Sequence, residues 1–386
     1  MTAVRWVALQ DVATIERDIV EPAQIRTGTL YVGLENIESG GRIVNVRRVD
    51  AGELASNKFA FTTRHVLFGK LRPYLAKIAR PDFVGICSTD ILPVLPGTGL
   101  DRGYLSWLLL APEMVSLAAS RATGANLPRL SPSALAEMKI PLPPLPEQRR
   151  IAEILDKADA LRAKRRAALA QLDTLTQSIF LDMFGDPATN PKGWPVRTIG
   201  DLLESVSYGT SEKAEVSGEF PVLRMNNITR TGEMDFTDLK YMDLPEVRRE
   251  RYLVRAGDVL FNRTNSADLV GKTAIFRDPR PMAYAGYLIR LRVNGANDPE
   301  YLAAFLNTGF SKRVLRGMCR SIIGMANINA TELQAIRIPQ PVFQAQREFS
   351  RRVNAVRKLR AIQRASLIEE DGLFAALQHR AFRGEL

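Results

Sequence analysis

The stretch Ile140-Pro141-Leu142-Pro143-Pro144-Leu145-Pro146-Glu147-Gln148-Arg149-Arg150-Ile151 decides how this chain is read. Its prolines remove backbone donors and hold the chain extended, so a helix is expected to begin only after Pro146. From Glu147 to about Phe184 there is no glycine or proline. Apolar or small residues recur there in steps of three and four, at Ile151, Ile154, Ala158, Leu161, Ala168, Leu172, Leu175 and Ile179. This spacing predicts a heptad seam, interrupted at Arg165, on a long helix that Gly185-Asp186-Pro187 ends. At 1.5 Å per residue, residues 147–184 would span roughly 57 Å, enough to act as a ruler between whatever lies at the two ends.

The same grammar occurs twice. Tyr31-Val32-Gly33-Leu34-Glu35-Asn36-Ile37 matches Val222-Leu223-Arg224-Met225-Asn226-Asn227-Ile228, and Val66-Leu67-Phe68-Gly69-Lys70 matches Val259-Leu260-Phe261-Asn262-Arg263. Ala125-Asn126-Leu127 then matches Ala326-Asn327-Ile328, Ile140-Pro141-Leu142-Pro143 matches Ile338-Pro339-Gln340-Pro341, and Gln148-Arg149 matches Gln346-Arg347. The offsets stay between 191 and 201, so the order is kept throughout. A period this long indicates duplicated domains. The second helix runs from about Gln344 to Arg380, with Phe349, Val353, Val356, Leu359, Ile362, Leu367, Phe374 and Leu377 on its apolar side and Gly372 inside it. Each helix could pack on its own domain, but a long bare seam more often meets a second helix, and the duplicate is at hand. The expected architecture is α+β: two globular domains in pseudo-two-fold duplication, separated by two long antiparallel coiled-coil helices. The boundaries expected are 1–143 and 188–341 for the globular domains, with 144–187 and 342–386 for the helices.

The 53 Lys and Arg against 42 Asp and Glu give a formal charge of +11. That balance favours an anionic partner, nucleic acid first, with a merely basic enzyme as the alternative. No apolar run approaches the roughly 18 residues of a membrane span, and the N-terminus lacks the features of a secretory signal, so a cytoplasmic location is expected. Cys87 and Cys319 belong to no metal or disulfide pattern and are expected to be small buried residues.

These residues resemble a known family, the specificity subunits of type I restriction-modification systems. The resemblance lies in the 140–151 junction, in Ser178-Ile179-Phe180-Leu181-Asp182-Met183-Phe184-Gly185-Asp186-Pro187, and in Ala381-Phe382-Arg383-Gly384-Glu385-Leu386. It implies two target-recognition domains, each reading one half of a split site in double-stranded DNA. It also implies two adenine methyltransferase subunits and two restriction/translocase subunits as partners, with S-adenosylmethionine, ATP and Mg bound by those partners and no cofactor on this chain. The second hinge, Pro341-Val342-Phe343-Gln344-Ala345-Gln346, departs from the pattern by lacking the second proline and the glutamate, which puts in doubt any role shared with Glu147.

No catalytic or metal site is expected on this chain. An Asn/Asp-Pro-Pro-aromatic motif and a Gly-rich cofactor loop are both missing, and the only histidines are His65 and His379. This disfavours the rival readings of a self-sufficient methyltransferase or nuclease; a methylation-only or related defence system stays open. Asp90 and Asp258 read as isolated turn or surface carboxylates. Gly271-Lys272-Thr273 looks like the end of a phosphate loop, but Ser266 stands where a glycine is required, so a turn offering Lys272 to DNA phosphate is the better reading.

Direct readout uses Arg or Lys for guanine and Asn or Gln for adenine. On that basis the first-domain candidates for DNA contact are Lys70, Arg72, Tyr74, Lys77, Arg121, Asn126 and Arg129. Those of the second domain are Asn262, Arg263, Asn265, Lys272, Arg320, Asn327 and Asn329.

Overall fold

A computed structural model describes residues 5–266, 269–318, 320–322 and 325–386, the side chains of 320–322, 325 and 326 excepted. Cys319 and Gly324 lie outside the described residues. The chain divides into two compact units, one of residues 1–165 with 366–386, the other of residues 166–365.

In the first unit, a mixed five-stranded sheet runs Ile19–Val20, Lys58–Phe61, Gly85–Ser88, Thr29–Val32, Arg47–Val49. An antiparallel four-stranded sheet runs Ala13–Ile15, Ile91–Pro96, Val66–Gly69, Ile78–Ala79. Val66–Phe68 and Ile91–Val94 are buried at every successive position, as expected of a strand covered on both faces. Strand Arg5–Ala8 pairs with Lys139–Leu142, tying the start of the unit to its proline hinge.

The second unit repeats this plan. A four-stranded sheet runs Leu203–Tyr208, Leu288–Val293, Val259–Asn262, Thr273–Ile275, and Val196–Thr198 pairs with Arg337–Pro339. The parallel pair Tyr31↔Ile86 and Val32↔Cys87 has its counterpart in Val222↔Ala283 and Leu223↔Tyr284. The Asn-Ile signature acquires a physical reason. Asn36 accepts from the Gly33 N–H and donates to the Val44 and Asn45 carbonyls, and Asn227 accepts from the Arg224 N–H and donates to those of Asp235 and Asp238. Each is a buried amide that satisfies a turn's backbone from within.

The first long helix spans Leu145–Phe184 and the second Phe343–Arg383, so both begin earlier than the sequence suggested. Pro146 sits inside the first turn, where a missing N–H costs nothing. Gly185, at φ +82°, closes the first helix with its N–H on the Leu181 carbonyl.

The helices run antiparallel within each unit. In the first, Arg150 reaches the Leu386 carbonyl, Arg162 pairs with Asp371 at 2.7 Å, and Arg165 with Glu370 at 2.6 Å. In the second, Arg360 pairs with Asp173 at 3.3 Å and Phe180 packs on Phe349. Of the seam residues, Ile151, Leu172, Val353 and Phe374 are buried, and Ile154, Ile179, Val356, Leu367 and Leu377 are half-buried. Leu161, Leu175, Leu359 and Ile362 are exposed, which corrects the seam read from the sequence. The inward positions are their neighbours Leu155, Arg162, Thr176, Arg360 and Gln363, so the seam is polar in its middle. An arginine fills such a position with its stem while its head finds an acid, and Arg162 also lies over the Phe374 ring at 4.1 Å.

Each unit therefore borrows the end of a helix. Tyr104, on helix Arg102–Leu109, packs edge-on against Phe382, and Trp107 against Phe374. Their counterpart Tyr301, on helix Pro299–Leu306, packs against Phe184 at 4.9 Å and Phe180 at 5.6 Å. The duplicated glutamines lock the other helix end. Gln148 is fully buried, donating to Pro143 and Gly99 carbonyls and accepting from the Asp101 N–H.

Candidate nucleic-acid interface

In each unit two loops are held side by side by backbone bonds, and the bonds are equivalent. In the first, the Lys70 N–H donates to the Asp90 carbonyl and the Leu130 N–H to the Lys70 carbonyl. In the second, the Arg263 N–H donates to the Tyr287 carbonyl and the Ile328 N–H to the Arg263 carbonyl. The register agrees, since Gly69 faces Ile91 and Asn262 faces Leu288. Lys70, Asp90 and Arg129 thus occupy the places of Arg263, Tyr287 and Asn327, which corrects the match of Asn126 with Asn327 read from the sequence.

The first loop pair brings together Lys70, Arg72, Tyr74, Arg121, Asn126 and Arg129, of which all but the half-buried Lys70 are exposed. The Arg72 N–H reaches the Pro128 carbonyl at 2.7 Å, and Arg129 bridges to both Leu71 and Thr123. Asp90 is not the isolated carboxylate expected. It lies 3.2 Å from Arg129 and 4.0 Å from Lys70, so a single acid partly neutralises two of the candidate cations. Asp258 is likewise engaged, buried against Arg292 at 2.8 Å.

The second loop pair closes into a small sheet of Thr264–Asn265, Met325–Asn327 and Arg320–Ile322. Asn265 stands opposite Ala326, and Arg320 and Thr264 opposite Asn327. The backbone of Arg320 is therefore in the cluster; its side chain lies outside the described residues. The Thr264 hydroxyl donates to the Asn327 carboxamide oxygen at 3.0 Å, and the Asn265 side chain accepts from the Ser266 N–H. The Arg263 guanidinium stacks over Tyr208 at 4.9 Å, and the Tyr208 hydroxyl accepts from the Ala330 N–H at 2.7 Å.

Four candidates are placed elsewhere. Lys77 donates to the Leu34 carbonyl, and its counterpart Lys272 to those of Met225 and Ile228, so both ammonium groups hold a turn of their own unit. Burial, with Arg230 adding to it, lowers the Lys272 pKa. Gly271 has φ +78° and leads into strand Thr273–Ile275, a geometry foreign to a phosphate loop, which feeds a helix. Asn262 is fully buried, and its carboxamide has no partner among the described residues. Asn329 caps helix Ala330–Gln334, accepting from the Glu332 N–H while Glu332 accepts from its own.

Sequence reasoning passed over Asp90, Tyr208, Thr264 and Tyr287. Asp90 and Tyr287 could have been found, because each immediately precedes the duplicated strand. Tyr208 comes from a distant strand, and nothing local announces it. Cys87 is buried as expected, which pushes its thiol up to about 12. Among the described residues no cluster of three or more His, Cys, Asp or Glu could hold a metal ion, and no helix is long and apolar enough to cross a membrane.

A family model described as the type I restriction modification DNA specificity domain matches residues 86–171 and 191–370. The chain belongs to this family. Within it, the chain is 26% identical over 288 residues to the EcoKI specificity subunit of Escherichia coli K12, covering 69% of this chain and 62% of that one. It is 29% identical over 184 residues to the EcoDI specificity subunit of Escherichia coli, covering 46% and 41%. The matches thus span about half the length of those relatives. The S subunit of a type I restriction-modification system from M. genitalium superposes with a TM-score of 0.63 at 12% identity, covering 99% of this chain and 97% of that one. A chain from another solved type I system gives 0.63 at 22% identity, covering 100% and 99%. The specificity-domain family and these structures share the fold; the loop pairs give it chemistry.

Proposed function

We propose that this chain is the DNA-reading subunit of a type I restriction-modification complex and does no chemistry itself. The observation that carries the reading is the equivalent loop pair in each unit, built on one duplicated framework but bearing different side chains. Two like frameworks with unlike tips suit a target in two parts, each unit reading one half. Exposed arginines around the tips supply phosphate contacts that position each unit without specifying sequence.

The partners in this reading are double-stranded DNA, two adenine-N6 methyltransferase subunits and two restriction/translocase subunits, the whole residing in the cytoplasm. S-adenosylmethionine, ATP and Mg belong to those partners. A methyltransferase must extrude its adenine from the stack to reach it, so this chain's task is to set the half-sites in front of two such sites.

The test is incubation of the purified chain with DNA and labelled S-adenosylmethionine, alone and with its methyltransferase partner, followed by mapping of methylated adenines. Methylation of a two-part sequence only in the presence of both is the expected result. Methylation by this chain alone would sink the proposal.

A further inference from the structure

The two loop pairs differ most at the three equivalent positions. In the first unit Lys70 and Arg129 share the Asp90 carboxylate, so their charge is partly spent within the protein. In the second, Tyr287 stands where Asp90 would be and Asn327 where Arg129 would be. Arg263 has no ion pair with an acid among the described residues.

Arg263 is nonetheless held firmly. Its N–H and carbonyl are both engaged, by Tyr287 and Ile328 at 3.0 Å each. Its guanidinium lies on the face of Tyr208, a ring fixed by the hydrogen bond from Ala330. Its Nε donates to the Ile328 carbonyl at 3.5 Å, and stacking on an aromatic face leaves the two terminal nitrogens of the guanidinium to meet a partner in plane. The neighbours are polar and modest in size: Thr264, Asn265 and Asn327, with Tyr287 half exposed. A planar, pre-set fork with no acid partner among the described residues is the group that matches guanine O6 and N7 in the major groove.

We infer that Arg263 reads a guanine in the half-site recognised by the second unit, with Tyr208 as the residue that positions it. This rests on the DNA-reading role proposed above. Because the equivalent position in the first unit is a lysine tied to Asp90, the same base preference does not extend to the other half-site.

The experiment uses the complete methyltransferase complex, with methylated adenines mapped across a genome-sized DNA for the unaltered chain, Arg263→Ala and Arg263→Lys. Binding is measured against salt in parallel. At one position of one half-site, Arg263→Ala should cut discrimination for G·C roughly 10- to 100-fold, the usual worth of a bidentate contact, while the other half-site is unchanged. Arg263→Lys keeps the charge and guards against a folding failure. It should relax the same position, less than Arg263→Ala because a lysine can still reach guanine without a fork, with an unaltered salt slope. Three results overturn the inference: full discrimination in Arg263→Lys with uniformly weaker binding in Arg263→Ala, which marks a phosphate contact; relaxation in both half-sites; or no relaxation at all. Unaltered complex that methylates without dependence on this chain overturns the recognition role as well, so the two failures are distinguishable.

Discussion

Gln346 lies fully buried beneath Asp298, its carboxamide oxygen accepting the Asp298 N–H at 2.9 Å while its nitrogen donates to the Pro341 carbonyl at 2.8 Å. Gln148 makes the same clasp to Asp101 and Pro143 in the other unit. One side chain thus fixes the hinge, the start of a long helix and the cap of a short one. Replacing Gln346 with Leu leaves buried backbone groups unmet, each costing about 1–3 kcal/mol. Denaturant unfolding should show the second unit losing stability by that order, and an unchanged transition would remove the clasp from the account.

Lys272 calls for a prediction opposite to the one its sequence invites. Its ammonium serves the Met225 and Ile228 carbonyls, so Lys272→Met should cost about 1–3 kcal/mol of stability and leave the salt dependence of DNA binding unaltered. Arg72→Ala, at an exposed loop tip, should instead reduce the salt slope by roughly one. Titrations of binding against salt for both variants check this; a shallower slope for Lys272→Met contradicts the geometry.

Lys312 donates to the Asn307 carboxamide oxygen at 3.0 Å, and burial, aided by Lys272, brings its pKa down to about 8 from 10.5. Below pH 8 both folded and unfolded chains carry the proton, and the fold bears the full cost of the buried charge. Between about 8 and 10.5 the folded chain sheds it while the unfolded chain still holds it, so stability should rise with pH there. The comparison with Lys312→Met isolates the effect. The stability of the unaltered chain relative to the variant should climb across that window, and a flat difference refutes the assignment.

Glu233 joins Arg360 and Arg357, Arg360 also meets Asp173, and Glu300 joins Arg357 and Arg277, in a chain of charges linking a surface turn to both long helices within the second unit. Arg360 is only 8% exposed, so Glu233→Ala leaves this buried cation with Asp173 alone, at 3.3 Å, and should cost more than 1 kcal/mol. Glu153→Ala, which breaks the exposed pair with Lys157, should cost well under 1 kcal/mol. Equal effects in thermal unfolding would mean the network is only superficial.

The duplication, the proline hinge and the helices were legible because they are written in periodicity and order, which survive without knowledge of neighbours. The seam was misread at Leu161 and Ile362 because inward arginines look polar until their acids are known, and the acids come from the other helix. Lys272 and Asn329 were misread for a related reason: residue type suggests DNA chemistry, but a nearby carbonyl or helix start takes the group first. Arg263 was legible as a candidate; its support by Tyr208, 55 residues earlier in the chain, was not.

The borrowed helix ends impose an order on synthesis. The second unit is one continuous stretch, residues 166–365, and can close once its last residue has left the ribosome. The first unit cannot, because Trp107 waits for Phe374 and for Gln378, which lies 271 residues further along. Through all that time the Tyr104 and Trp107 faces stay uncovered. The unit translated first is therefore the one finished last, and its nascent form is the one that a chaperone would find.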